Sequence, residues 1–135
     1  DVYKRQQLNK YEVTEKGSKV AVIGLGTFYN MGCEVAKAVE EKTGTKATVI
    51  NPYYITGIDE VLLEDLKKDH DVVITLEDGF LEGGFGEKIA RFYGDSDVKV
   101  LNYGVKKELL DRYDVTELLE KNHLTVQQIV GDLKI

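Results

Sequence analysis

The chain has 135 residues, of which 42% are hydrophobic and 31% charged, and a net charge of −6. Those totals describe one ordinary globular domain, and the acidic balance argues against a nucleic acid or an anionic membrane surface as partner. A single cysteine, Cys33, rules out an internal disulfide and any thiolate metal cluster, and makes the cytoplasm the expected compartment.

Residues 1–7 are polar and charged, without the apolar stretch of a signal peptide. They are expected to be a disordered or non-native segment ahead of one domain over residues 8–135. The longest apolar run, residues 20–25, is far too short to span a membrane. Tyr11 and Val13 alternate with Glu12 and Thr14, which suits a short strand with one wet face. Lys16-Gly17-Ser18 then reads as a turn before a second strand, residues 19–24, that is apolar on both faces. Gly24-Leu25-Gly26 opens a loop into a helix that runs to about Thr43. Its buried stripe is expected to be Met31, Val35, Ala38 and Val39, with Gly44 as the stop.

A third strand over residues 47–50 ends at Asn51-Pro52, because proline cannot donate to a ladder. Asp59 is placed to cap a helix that turns Val61, Leu62 and Leu66 inward, with Glu64 and Lys68 paired outside. Residues 72–76 form the fourth strand, apolar on both faces and so central. It runs into Glu77, Asp78 and a glycine-rich turn with Gly83, Gly84 and Gly86. After the turn, Phe85, Ile89 and Phe92 recur at helical spacing. A fifth strand over residues 97–101 alternates Val98 and Val100 with Lys99, as an edge strand does. Capping-box spacings at Asp114 and Thr125 predict a closing helix pair. Strands alternating with helices give an α/β fold with a mainly parallel sheet.

Four features invite a chemical reading. Gly24-Leu25-Gly26 follows a strand, as a dinucleotide loop does, but Tyr29 stands where the third glycine belongs and the next strand ends in Asn51. A tight strand-to-helix turn is the simpler account. Glu77, Asp78 and Glu82, gathered at a strand end, have the chemistry to hold magnesium or to act as acid and base. Strand-end acids also commonly cap the next helix. His70 reads as a solvated loop residue, and His123 as the top of a helix. Cys33 reads as a small packed or half-exposed side chain.

The order of these motifs resembles the C-terminal domain of the transketolase-like thiamine diphosphate enzymes, and within them the 1-deoxy-D-xylulose-5-phosphate synthases. The resemblance is carried by Gly17-Ser18-Lys19-Val20-Ala21-Val22-Ile23-Gly24-Leu25-Gly26 and Ala47-Thr48-Val49-Ile50-Asn51-Pro52. It continues through Ile58-Asp59-Glu60, Asp71-Val72-Val73-Ile74-Thr75-Leu76-Glu77-Asp78 and Gly83-Gly84-Phe85-Gly86, and into the tail from Tyr103-Gly104 to Leu124-Thr125. Two positions depart from it: Tyr53 replaces a frequent arginine, and Thr56-Gly57-Ile58 replaces a common Lys-Pro-Leu.

The resemblance implies a three-layer α/β/α domain on a five-stranded mixed sheet, ordered 1-3-2-4-5, with the first strand antiparallel to the rest. It implies a fragment of a homodimeric enzyme that condenses pyruvate with glyceraldehyde 3-phosphate. Thiamine diphosphate and magnesium would be held by other domains, and this chain would supply no catalytic, cofactor or metal residue. Its partners would be those domains and the second subunit. The expected interface is formed by Tyr53, Tyr54, Ile55, Phe80 and Leu81, with Glu77, Gly83, Gly84 and Gly86 as a structural loop. A transketolase, a 2-oxoacid dehydrogenase beta subunit, or a free-standing α/β module for small anions or nucleotides are the alternatives.

Overall fold

A computed structural model of the chain describes residues 9–78, 84–105 and 131–132. The elements are β1 (Glu12–Glu15), β2 (Lys19–Gly24), α1 (Tyr29–Thr43), β3 (Thr48–Asn51), α2 (Glu60–Leu66), β4 (His70–Asp78), α3 (Phe85–Phe92) and β5 (Lys99–Val105), with a short 3₁₀ turn at Gly26–Phe28. The five strands form one sheet in the order β1-β3-β2-β4-β5. β1 is antiparallel to β3, and the other pairs are parallel. This is the topology and the edge-and-centre division that the sequence leads one to expect.

Side-chain alternation along the central strands divides the core in two. Val20, Val22, Val49, Val72, Ile74 and Leu76 point to the face covered by α1, which contributes Met31, Val35, Ala36 and Val39. Ala21, Ile23, Ile50 and Val73 point to the opposite face, where Leu63 and Leu66 of α2 meet Phe85 and Ile89 of α3 and the nearby Tyr93. Helices on both faces of this mainly parallel sheet make the three layers.

Several local expectations shift. In β1, Tyr11 lies before the strand and is buried, whereas Val13 is 40% exposed. A register irregularity between Val13 and Glu15 breaks the simple alternation. On α1, Ala36 takes the buried place expected of Ala38, which is only partly covered. Gly44, in the left-handed region at φ 74°, ends the helix as expected.

On α2, Leu63 and Leu66 are buried and Val61 faces solvent. Leu63 lies three residues before Leu66, one turn back on the same face. The outer ion pairs are Glu64–Lys67 at 2.9 Å and Asp65–Lys68 at 3.0 Å, not Glu64 with Lys68. Past Leu66 the chain tightens into i→i+3 bonds, Lys67 N–H to Glu64 O and Lys68 N–H to Asp65 O, and that winding brings residues three apart into line. β4 and β5 run longer than expected because they pair as far as Asp78 and Val105. The expected helices of the tail, and His123 with them, lie outside the described residues.

Candidate functional site at the carboxyl edge of the sheet

Three connections meet at the carboxyl ends of β2, β3 and β4. The first is the turn after β2. Leu25 N–H donates to Leu76 O at 3.0 Å, and Gly26, at φ 60°, donates its N–H to Tyr53 O at 2.6 Å. A Cβ on Gly24 would lie 2.6 Å from Phe28 O and 2.8 Å from Tyr29 Cα, so only glycine lets α1 start this close to its strand. The two glycines are accounted for by a tight strand-to-helix turn.

The second connection, after β3, is locked from within. Asn51 Oδ1 accepts the Tyr53 N–H at 2.8 Å, and Ile55 N–H donates to Pro52 O at 3.0 Å. Tyr53 is held at φ 57°, a region non-glycine residues enter at a cost. The Tyr54 ring lies on Gly26: a Cβ there would sit 2.7 Å from Tyr54 Cε1. Tyr53 remains 49% and Tyr54 73% exposed, while Ile55 packs against the α2/α3 core. Of the expected interface residues, Tyr53 and Tyr54 are therefore exposed, whereas Ile55 turns to the core. Phe80, Leu81 and Gly83 lie outside the described residues.

The third connection begins inside β4. Glu77 is buried, and its Oε2 accepts the Gly86 N–H in the first turn of α3. A carboxylate from a neighbouring strand thus meets the positive end of the helix. Thr75, fully buried, donates its hydroxyl to Asn102 Oδ1 at 2.5 Å across to β5. Gly86 sits between these groups, where a Cβ would fall 2.6 Å from Glu77 Oε2 and 2.8 Å from Asn102 Oδ1. Gly84 has φ −88°, so no left-handed backbone explains it. Among the described residues of this loop, Gly86 is the position where close approach demands a glycine. Among the described residues no group of three His, Cys, Asp or Glu side chains is placed to hold a metal ion.

The opposite, amino edge holds a polar cluster that the sequence does not announce. His70, expected in solvent, is buried. Its Nδ1 faces Asp69 Oδ1 at 2.7 Å and Leu66 O at 3.2 Å, and its Nε2 faces Thr48 Oγ1 at 2.7 Å. Thr48 also accepts the Gly17 N–H at 3.0 Å. Two acceptors around Nδ1 assign the proton there, so in the neutral ring Nε2 accepts from the Thr48 hydroxyl. The cluster joins the starts of β2, β3 and β4. Nearby in the second core, burial pushes the Tyr11 and Tyr93 hydroxyls well above the usual tyrosine range. Both are satisfied by carbonyls: Tyr11 donates to Gly57 O at 2.5 Å and Tyr93 to Leu63 O at 2.6 Å.

Comparison with known proteins places this geometry. The profile of the family described as "Transketolase, C-terminal domain" matches residues 9–129. The 1-deoxy-D-xylulose-5-phosphate synthase of Alkaliphilus oremlandii (strain OhILAs) is 32% identical over 130 residues, which cover 94% of this chain and 21% of that protein. The synthase of Gloeothece citriformis (strain PCC 7424) is 33% identical over 128 residues, 93% of this chain and 20% of the relative. The chain thus spans about a fifth of the length of these curated relatives. A solved structure described as "Split gene transketolase, inactive beta4 tetramer" matches with a TM-score of 0.69 and 24% identity, over 93% of this chain and 40% of the other. With the family profile covering nearly all of its length and the same fold found in a solved transketolase chain, this protein belongs to the transketolase C-terminal domain family.

Proposed function

We propose that this chain is the C-terminal domain of a thiamine diphosphate-dependent enzyme, a 1-deoxy-D-xylulose-5-phosphate synthase joining pyruvate to glyceraldehyde 3-phosphate with loss of carbon dioxide. Within that enzyme it supports subunit association and does no chemistry itself. The observation that carries the association role is the turn of residues 51–55. Its backbone is held in a costly conformation by Asn51 and Gly26, and the result is two exposed tyrosines. Rigid aromatic side chains that lose little entropy on contact are the usual anchors of a protein interface. The synthase relatives, matched over more than nine-tenths of this chain, support the choice of parent.

The described residues do not fit thiamine diphosphate. The turn at Gly24 and Gly26 is filled by its own backbone bonds and by the Tyr54 ring, and the Glu77 carboxylate is committed to α3. In this reading the cofactor and magnesium belong to the remaining domains, and the partner is a second copy of the whole enzyme in the cytoplasm. The cytoplasmic assignment rests on the single cysteine, Cys33.

A chimera tests the proposal. Residues 9–135 of this chain would replace the C-terminal fifth of the Alkaliphilus oremlandii synthase. The chimera should form a dimer and make 1-deoxy-D-xylulose 5-phosphate. A chimera that folds cooperatively yet stays monomeric and inactive would overturn both the parent and the role. Calorimetric titration of the isolated chain with thiamine diphosphate and magnesium is the companion measurement. No binding is expected, and micromolar affinity would show that this domain carries a cofactor site after all.

A further inference from the structure

Away from the carboxyl edge, on the outer side of the α2/α3 layer, lies an open cleft of about 300 Å³ lined by Ile58, Glu60, Lys88, Arg91 and Phe92. Its charges are not spent on one another. The ion pairs among the described residues are Glu64–Lys67 and Asp65–Lys68, beside the Asp69–His70 hydrogen bond, and none involves Glu60, Lys88 or Arg91. Lys88 and Arg91 sit three residues apart on α3, so both cations lie on one helix face. The Lys88 Nζ donates to Thr56 O at 3.2 Å, which holds the ammonium beside the cleft. Phe92 is fixed by an edge contact with Tyr93, centroids 5.2 Å apart, and by Lys67 placed 5.1 Å from its centroid. A chain with a net charge of −6 thus carries, in one concavity, two cations without an ion-pair partner among the described residues, beside an anchored ring.

We propose that this cleft is a binding site for a small organic phosphate. Its volume is at the lower end of ligand clefts, which suits a molecule of a few carbons better than a peptide. The planar guanidinium of Arg91 matches two phosphate oxygens at once, and Lys88 adds a point charge beside it. Ile58 and Phe92 supply an apolar floor for the carbon chain. Glu60 repels the anionic end and accepts from a hydroxyl at the other, which sets the orientation of the ligand. The lining residues named all belong to this chain, and the proposal does not depend on which reaction the parent enzyme performs.

The probes are glycerol 3-phosphate and inorganic phosphate, titrated into the ¹⁵N-labelled full chain at low ionic strength. Saturable shifts are expected at the amides of Ile58, Glu60, Lys88, Arg91 and Phe92, with glycerol 3-phosphate binding more tightly than phosphate. The double variant Lys88→Gln, Arg91→Gln should weaken binding at least about tenfold, as loss of charged hydrogen-bond partners does. Lys68→Gln, outside the cleft and already paired with Asp65, should bind like the parent. Non-saturating shifts spread over all surface lysines would overturn the proposal, as would equal affinity in the double variant. Shifts at the cleft produced by an acidic peptide and not by glycerol 3-phosphate would overturn it in favour of a protein-docking surface.

Discussion

Gly86 and Thr48 show how much rests on single positions at the two ends of the strands. A side chain on Gly86 would enter the space held by Glu77 Oε2 and Asn102 Oδ1, both already bonded to neighbours. Gly86→Ala should therefore destabilise the chain by about 1–3 kcal/mol, the usual cost of overpacking, read as a lower urea midpoint with an unchanged slope. Thr48→Val keeps the shape but removes the acceptor for Gly17 N–H and the donor to His70 Nε2. Leaving buried polar groups unsatisfied costs about 1–3 kcal/mol, so a melt within error of the parent would show that water fills the gap. Neither role was legible in the sequence. His70 is flanked by Lys68, Asp69 and Asp71 and reads as loop, because its partner Thr48 lies 22 residues away and is brought there only by strand register. The glycine loop was legible as a feature, yet the need for glycine at Gly86 depends on Asn102, a residue of another strand.

At the scale of elements, Asp59 caps α2, as its position in the sequence predicts, and also serves a second structure. Its Oδ1 accepts Leu62 N–H at 3.1 Å and its Oδ2 accepts Tyr11 N–H at 2.9 Å, tying the approach to β1 onto the start of α2. Asp59→Ala should cost about 2 kcal/mol, near the upper end for a lost cap. It should also speed hydrogen exchange at Tyr11, which loss of a cap alone would not do.

The layer beneath makes stability sensitive to alkali. Tyr11 and Tyr93 keep their protons in the fold to a higher pH than the free value of 10.0, because burial disfavours the phenolate. Below the unfolded value both states are protonated and this contribution is complete. As pH rises past it, the unfolded chain ionises first and the stability falls. Urea midpoints should therefore decline above about pH 10, and Tyr93→Phe should show a shallower decline. Equal slopes in the two proteins would mean that Tyr93 ionises without unfolding.

For the whole molecule, the contrast between continuous and alternating apolar strands was enough to place β2 and β4 in the centre and β1 and β5 at the edges. What pattern alone did not yield was the locked turn of residues 51–55, whose geometry depends on Gly26, in the turn after β2. That turn also determines how the isolated domain should behave. Among the described residues each face of the sheet has its own buried core, so the isolated chain is expected to keep its fold. The exposed pair Tyr53 and Tyr54 remains. A buried tyrosine covers about 150–250 Å², so two from each copy fall short of the roughly 1,000 Å² that a stable interface requires. The chain should therefore self-associate weakly, with a dissociation constant on the order of 100 μM, about −5.5 kcal/mol. Sedimentation velocity over a concentration series should show a rising weight-average coefficient. The double variant Tyr53→Asp, Tyr54→Asp should abolish that rise without lowering the melting temperature, since aspartate enters the left-handed region at Tyr53 more readily than tyrosine does. If the parent stays monomeric, or the variant associates equally, the tyrosine turn does not join subunits and another surface must do so.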